Sequence, residues 1–300
     1  MKKVLITGGT GLVGRTLSAR LHSLGYEVRI LSRKKFTSDQ YKSFYWIPEE
    51  KYVDETAFDE IDYIVHLSGE NLGARRWSKK QKQKIFDSRV KTAELLFKKV
   101  SALKVNLKAF VSASAVGIYP TFSKGEEYYI EKDIYGTGFT AQVCIAWENA
   151  ADNFKNAGIR TVKIRTGLVQ DKKDPALKKI LMLSKFGILP VFGRGKQYYP
   201  WIHIDDLVNI YVAAIENENF EDSFNAVAPD FLTNEQYVQT LKSVLGKRII
   251  FHIPAFVIKL LFGEMSEIVL KGTKIQSKLH SNGFKFTYPE LKSALSSLLK

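Results

Sequence analysis

The feature that most constrains this chain is a glycine pattern near its start. Gly8, Gly11 and Gly14 follow directly on an apolar run, Lys3 to Thr7, that reads as a buried strand, and a helical pattern begins after them. Glycine permits a tight turn and a close approach of the backbone to a pyrophosphate, while the helix N-terminus offers N–H groups and a positive dipole. A strand, a glycine loop and a helix in this order predict a dinucleotide site, with a simple connecting turn as the alternative.

The end of the second predicted strand, Glu27 to Ser32, indicates which dinucleotide is preferred. An NAD site normally places Asp or Glu here to hold the ribose hydroxyls. In this chain Ser32 is followed by Arg33, and the first acid beyond is Asp39. A hydroxyl and a guanidinium suit a 2′-phosphate, which a carboxylate would repel, so the sequence predicts NADP(H). The alternative is that Arg33 is only a solvated residue at the strand end.

Strand and helix patterns alternate along most of the chain, which is typical of a parallel sheet covered by helices on both faces. We therefore predict a doubly wound, Rossmann-type α/β fold over residues 1–228, with a substrate-lobe segment at about 170–200 and a smaller C-terminal α+β lobe over 229–300. Further strands are predicted at 63–67, 109–113, 160–165 and 225–228, and helices at 78–100, 140–156, 204–216, 233–245 and 255–262. The glycines and proline in 187–190 and 193–195 predict loops.

Composition excludes several classes of protein. With 45% hydrophobic residues among 300, the chain can bury a core without covalent staples. The single cysteine, Cys144, excludes an intrachain disulfide and a four-thiolate metal site, and no cluster of His, Cys and carboxylates has metal-ligand spacing. No apolar run is long enough for a membrane span or a signal-peptide core, so we expect a cytoplasmic protein without a membrane partner.

The formal net charge of +14 is concentrated in two blocks. Residues 71–108 carry 12 Lys or Arg against two acids, and residues 241–300 carry 10 against three. Such blocks usually form solvated faces or steer anionic ligands, and a nucleic-acid protein should add a recognisable reading module. Because no such module is present, the sequence favours a small-molecule substrate over nucleic acid.

The motifs resemble those of the extended, atypical short-chain dehydrogenase/reductase superfamily, in its NAD(P)-dependent epimerase/dehydratase-like branch. Thr7 to Gly14 is similar to the cofactor motif, Asp62 to Gly69 to the strand-four motif, and Trp201 to Asp206 to the late strand-to-helix motif. Other stretches look like one uncharacterised subfamily with a small extra C-terminal domain, some of whose members have been labelled cell-division inhibitors. These stretches are Gly69 to Leu72, Arg75 to Trp77, Asp87 to Arg89, Ser112 to Gly117 and Phe262 to Met265.

The resemblance extends the candidate cofactor site beyond the glycine loop. The end of the strand-four motif is implied to lie against adenosine and ribose, and Arg89 stands where the branch usually has Asn. Arg89 could form bidentate hydrogen bonds with phosphates or an acidic substrate, or simply belong to an exposed basic helix face. The candidate cofactor residues are Gly8, Thr10, Gly11, Leu12, Val13, Gly14, Ser32, Arg33, Leu67, Ser68, Gly69, Arg89 and Val169.

The catalytic set implied by the resemblance is incomplete. The superfamily uses a Ser or Thr together with a Tyr and a Lys spaced i, i+4 on one helix face. Ser114 matches the hydroxyl member, but counting from Glu148 puts Thr140 at the Tyr position and Cys144 at the Lys position. Tyr119, five residues beyond Ser114, is the substitute acid we consider, with packing or substrate contact as the alternative.

Other candidates have simpler explanations. Tyr128 and Lys132 have the Tyr-x-x-x-Lys spacing, but they lie in an acidic, loop-like segment rather than on a helix. Cys144 reads as a small buried hydrophobe, and the histidines at 66 and 203 as structural. Asp205 and Asp206 are expected to cap the helix that follows them.

Two functions remain open from the sequence. One is an NADP(H)-dependent oxidoreductase or epimerase-like enzyme whose small carbonyl- or sugar-type substrate binds between the lobes. Ser114 would then polarise a substrate oxygen, and Tyr119 or a substrate group would handle the proton. The other is a non-catalytic NADP(H)-binding sensor or interaction protein, for example one related to cell division. The missing Tyr–Lys pair favours the second, whereas the glycine loop, Ser114 and the substrate lobe favour the first.

Overall fold

The structure is a computed structural model that describes residues 1–34, 36, 38–121, 127–246, 248–279, 281 and 283–299. In its first half, strands alternate with helices as predicted, except that two strands at 42–47 and 52–53 were not predicted; most predicted bounds agree within two residues. The strands are β1 (Lys3–Thr7), β2 (Glu27–Ser32), β3 (Lys42–Ile47), β4 (Tyr52–Val53), β5 (Tyr63–His66), β6 (Ala109–Ala115) and β7 (Arg160–Thr166). The helices are α1 (Leu12–Ser23), α2 (Lys79–Ala102) and α3 (Phe139–Asn156).

The second half adds shorter elements. Its strands are β8 (Leu168–Gln170), β9 (Ile188–Phe192), β10 (Trp201–His203), β11 (Asp222–Ala226) and β12 (Ile249–Ile253). Its helices are α4 (Pro175–Lys185), α5 (Ile204–Glu216), α6 (Asn234–Leu245), α7 (Ala255–Phe262), α8 (Glu267–Leu270) and α9 (Leu291–Leu299). Short 3-10 turns occupy Pro48–Glu50, Glu55–Phe58, Val116–Ile118 and Gly263–Ser266.

One eight-stranded sheet organises the molecule, in the order β11-β7-β6-β5-β1-β2-β3-β4. All its neighbouring strands are parallel except β3 and β4. The strand order reverses direction beside β1, so the carboxyl ends of β1, β2 and β5 meet at the point where such sheets bind ligands. The predicted doubly wound fold is confirmed.

Alternation along the strands sends side chains into two cores. In β1, Val4 and Ile6 belong to a cluster that includes Leu17 of α1 and Leu207 of α5, while Leu5 faces a cluster with residues of α2 and α3. Both faces of the strand are therefore buried, as expected for a parallel sheet covered by helices. Within the described part of the chain, none of the helices combines the length and apolar character that a membrane crossing requires.

The predicted loop at 187–190 is wrong in part, because Ile188 begins β9. This strand pairs in parallel with β12 in a sheet of two strands, and Pro190 of β9 lies opposite Phe251 of β12. Proline lacks a backbone donor but is tolerated in a strand that needs to pair along one edge only. A third core beneath this sheet combines Leu189 and Trp201 with Tyr237 and Leu291 of the C-terminal helices.

Candidate functional site

The glycine loop between β1 and α1 is built so closely that side chains would not fit. Gly8 has a left-handed φ of +69°, and a Cβ there would lie 2.8 Å from the carbonyl oxygen of Leu67. A Cβ on Gly14 would overlap the carbonyl oxygen of Gly8, which already accepts the Gly11 N–H at 2.9 Å. The loop therefore presents bare backbone to any ligand at this edge.

The N-terminus of α1 is open toward the same edge. Gly11 is the N-cap residue, no side chain caps the helix, and its first turn contains no acidic residue. Thr10 and Gly11 are exposed, whereas Gly14 is buried. The first N–H groups of a helix have no intrahelical acceptors, so Leu12, Val13 and Gly14 offer donors and a positive dipole to an anion.

The end of β2 lies next to the loop because β1 and β2 run parallel, with Thr7 opposite Leu31. Ser32 is half-buried and its Oγ accepts the backbone N–H of Lys34 at 3.2 Å. Arg33 is exposed and forms no ion pair with a carboxylate of the described residues. Its guanidinium is therefore available to an external anion. Lys35, which follows in the sequence, lies outside the described residues.

Thr7, a residue that the sequence analysis did not single out, joins the end of β5 to the start of the glycine loop by hydrogen bonds. Its Oγ1 accepts the backbone N–H groups of Leu67 and Ser68, both at 3.2 Å, and lies 2.8 Å from Nδ1 of His66. Gly69 then emerges exposed. A hydroxyl directly before the first glycine was the available signal, since strand-end hydroxyls commonly bond neighbouring backbone.

Arg89 of α2 packs against this strand end. Its Nη1 donates to the carbonyl of Ile85 at 3.0 Å and its Nη2 to the carbonyl of Glu70 at 3.1 Å. The guanidinium stacks 5.1 Å from the ring of Trp147, and a Cβ on Gly69 would lie only 2.9 Å from Cζ. Burial lowers the pKa of Arg89. The predicted Arg89 thus lies beside Gly69, held in one orientation.

Val169 is the predicted cofactor residue that lies off the main sheet. It belongs to β8, which pairs with β10 in a separate two-stranded sheet. The side chain is half-buried and packs on the same core cluster as Val13 and Leu67. Its assignment to the cofactor site stays a prediction.

Ser114, near the carboxyl end of β6, is held by a buried ion pair. Its Oγ donates to Oε1 of Glu148 at 2.7 Å, and Nε and Nη2 of Arg165 each donate to Glu148 at 2.8 Å. All three residues are buried. Because the serine proton is directed at Glu148, the lone pairs of Oγ are what this hydroxyl has left for a ligand.

Tyr119 belongs to the same buried network. Its hydroxyl donates to Oδ1 of Asn225 at 2.8 Å and accepts from Nη1 of Arg165 at 2.9 Å, and the residue is 2% exposed. Burial raises the pKa of the phenol, and Arg165 opposes that shift only in part. The placement supports the packing alternative for Tyr119 rather than a working acid.

The structure also places Thr140 and Cys144, the residues that the sequence analysis puts at the Tyr and Lys positions. Thr140 lies against Gly117, where a Cβ would be 3.3 Å from that of Thr140, and Cys144 is buried. Burial raises the pKa of the Cys144 thiol to about 12, with Glu148 adding to the shift. Tyr128 and Lys132 lie outside any helix, so their spacing does not bring them onto one face.

The start of α5, within the motif from Trp201 to Asp206, differs from the prediction that Asp205 and Asp206 cap this helix. Asp205 and Asp206 do not cap α5; the N-cap is His203, whose Nδ1 accepts the backbone N–H of Asp205 at 3.2 Å. Asp206, fully buried, instead accepts the N–H groups of Thr287 and Tyr288 at 2.7 and 2.9 Å. Asp206 therefore binds a segment that is about 80 residues away in the sequence, a contact that the local sequence could not indicate.

A glycine loop at the switch point of a parallel sheet, flanked by an uncapped helix and two further strand ends, defines a dinucleotide-binding α/β protein of Rossmann type. Comparison with known proteins is more specific: the chain belongs to the NAD dependent epimerase/dehydratase family, which matches residues 4–227. Residues 253–298 match a domain of unknown function, DUF1731. The family resemblance drawn from the motifs is confirmed.

Relatives match along the whole chain. An epimerase family protein of Staphylococcus saprophyticus is 34% identical over 309 residues, covering 100% of both chains. The crystal structure of human epimerase family protein SDR39U1 (isoform 2) with NADPH has 29% identity and a TM-score of 0.86, covering 99% of this chain and 98% of that one. A nucleoside-diphosphate sugar epimerase of Corynebacterium glutamicum has 30% identity and a TM-score of 0.78, covering 99% of this chain and 58% of that one.

Proposed function

We propose that this protein binds NADP(H) and acts as an epimerase-family oxidoreductase on a small carbonyl- or sugar-type substrate. The observation that carries the proposal is the glycine loop, whose chain path leaves no room for a Cβ at Gly8 or Gly14, so that the loop consists of bare backbone there. A pyrophosphate needs that close backbone approach together with the uncapped start of α1. The human relative solved with NADPH supports the same cofactor.

The preference for NADP(H) over NAD(H) rests on Arg33. Its exposed guanidinium follows β2 at the place where a carboxylate would select the ribose hydroxyls of NAD(H). Arginine can hold a 2′-phosphate with two parallel hydrogen bonds. Ser32 supplies a neighbouring hydroxyl.

The substrate is proposed to bind between the lobes, beside the carboxyl ends of the strands. Held by the glycine loop and Arg33, the dinucleotide would supply or accept the hydride. Ser114, with its proton committed to Glu148 at 2.7 Å, would accept a hydrogen bond from a substrate hydroxyl and orient it. Since Tyr119 is enclosed, the proton would pass to a substrate group or to water rather than to this phenol.

Calorimetry with NADPH and NADH tests the cofactor proposal. We expect tighter binding of NADPH, and we expect Arg33→Ala to weaken it about tenfold to a hundredfold, because charge-assisted hydrogen bonds contribute about 1.5–3 kcal/mol each. Binding of NADH should change little. Arg20→Ala is the matched control, since Arg20 is an exposed arginine of the last turn of α1.

Two results would contradict this proposal. Tighter binding of NADH than NADPH by the parent protein would overturn the assignment of the 2′-phosphate to Arg33. Absence of heat with either dinucleotide, on folded protein, would remove the nucleotide site altogether.

A non-catalytic NADP(H)-binding sensor or interaction protein is the second candidate, favoured by the enclosed Tyr119 and by Cys144 at the lysine position. A panel of aldehydes, ketones and nucleotide sugars separates the two. Turnover followed by NADPH absorbance supports the enzyme, with sugar products analysed separately because epimerisation consumes no net NADPH. If the whole panel is inert while NADPH binds, the sensor is favoured.

A further inference from the structure

Helix α7 of the C-terminal lobe exposes most of its apolar surface. Phe256 is 71% exposed, Leu260 is 74% exposed and Leu261 is 58% exposed, while Ile258 is the one residue of the helix that is buried. Phe256 and Leu260 are four residues apart and share one face of the helix. Side chains this exposed are accessible at the surface of the protein.

Two further apolar residues, one just before α7 in the sequence and one at its end, are exposed. Phe251, on the strand that leads into α7, is 57% exposed, and Phe262 at the end of the helix is 40% exposed. We call these residues the apolar α7 face: Phe251, Phe256, Leu260, Leu261 and Phe262. Soluble proteins seldom leave several large apolar side chains together in water unless something covers them.

Three exposed cations lie on α7 or near its two ends. Lys259 is an exposed residue of the helix itself. Arg194, also exposed, lies near the start of α7, since a Cβ added to the preceding residue, Gly193, would be 3.8 Å from Cβ of Ala255. Arg76 brings Nη2 to within 3.1 Å of where a Cβ on Gly263 would stand. None of these three cations forms an ion pair with a carboxylate in the described ranges.

The two acids that follow α7 in the chain are already paired with lysines. Glu264 pairs with Lys82 at 2.5 Å and Glu267 pairs with Lys271 at 2.7 Å. The rim of the apolar α7 face is therefore positive. A second copy of the chain placed on this face would bring two such rims together, within a molecule whose formal charge is +14, and like charges at an interface are unfavourable.

We infer that the apolar α7 face docks on an anionic phospholipid surface. Cations complement anionic headgroups, and exposed Phe and Leu side chains can be buried at the boundary between headgroups and acyl chains. The eight residues of α7 span only about 12 Å as a helix, so it would lie in the interface and not cross it. This inference reverses our sequence-based expectation of no membrane partner and does not depend on the proposed cofactor.

Vesicle sedimentation tests the inference with the full-length protein. We expect binding to vesicles of phosphatidylcholine mixed with phosphatidylglycerol, and weaker binding both to phosphatidylcholine alone and at raised salt. Phe256→Ser combined with Leu260→Ser should lower partitioning by about tenfold or more, because burial of each side chain would be lost. Leu103→Ser, at an exposed leucine beyond the end of α2, is the control and should bind like the parent.

Each other outcome overturns the inference. Failure of the parent to bind anionic vesicles, or equal binding by the double variant, excludes this face as a lipid-docking surface. Sedimentation velocity is run on the same proteins. A parent dimer that the double variant converts to monomer would show that a second copy covers the face.

Discussion

His66 illustrates how a residue at the site can be structural. It is fully buried in β5, with Nδ1 2.8 Å from Oγ1 of Thr7 and Nε2 3.2 Å from the carbonyl oxygen of Arg89. The imidazole thereby links β1 to α2 beneath the glycine loop. Burial lowers its pKa to about 4 from an ordinary 6.5, since the charged form would lose its hydration.

This shift predicts a specific dependence of stability on pH. Between pH 6.5 and about 4, His66 becomes protonated in the unfolded chain but stays neutral in the folded chain. The contribution of the neutral His66 to the free energy of unfolding is therefore complete above pH 6.5 and is lost as the pH falls to about 4. The loss is about 3 kcal/mol. It is measured by urea unfolding of the parent and of His66→Gln across this window.

The comparison between the two proteins isolates the effect of the histidine, because carboxylates also lower the stability of the folded protein in acid. Glu27 is an example: burial would raise its pKa, but its bonds to Arg29 and Lys42 lower it overall. The parent should lose more stability than His66→Gln. Parallel curves for the two proteins would contradict the prediction.

At the scale of elements, α5 shows that one short motif can serve two purposes. His203 caps the helix, and Asp206 reaches the backbone N–H groups of Thr287 and Tyr288, just before α9. A helix of the sheet layer thereby holds the last helix of the chain. Asp205, beside them, has a side chain that is 55% exposed.

We expect Asp206→Ala to destabilise the protein by about 3 kcal/mol, because the buried carboxylate would no longer accept the backbone N–H groups of Thr287 and Tyr288, and hydrogen bonds to charged groups contribute about 1.5–3 kcal/mol each. Amide exchange in α9 should accelerate more than exchange in α1. Asp205→Ala is the matched control and should change unfolding free energy by less than about 0.5 kcal/mol. Equal changes in the free energy of unfolding for the two substitutions would show that the hydrogen bonds of Asp206 to Thr287 and Tyr288 do not stabilise the protein.

At the scale of the whole molecule, charge is distributed unevenly. Residues 71–108, which include α2 beside the candidate site, carry 12 of the 45 Lys and Arg residues against only two acids. Fields of this kind accelerate the encounter with anionic ligands and are screened by salt.

The association rate of NADPH should therefore fall about tenfold between low and high ionic strength. Stopped-flow tryptophan fluorescence measures this rate. Lys80→Glu, in the basic block, should slow association more than Lys185→Glu, which makes the same change in net charge at the end of α4. A rate that is independent of salt, or equal effects of the two variants, would contradict electrostatic steering.

The sequence by itself determined the strand–glycine–helix start, the alternation of elements and the position of Arg33, because backbone freedom at Gly8 and periodic burial are local properties. The family resemblance followed from the same local motifs. The resemblance also predicts that Thr140 and Cys144 stand at the positions of the usual Tyr and Lys, since this requires only counting along one helix.

Only the tertiary structure decided which side chains meet. Ser114, Glu148, Arg165 and Tyr119 form one buried network because β6, α3 and β7 pack together, and an open phenol cannot be told from an enclosed one before that packing is known. The same holds for α7. A helix in which seven of eight residues are apolar does not specify which side will be covered, because burial depends on which parts of the chain pack against it.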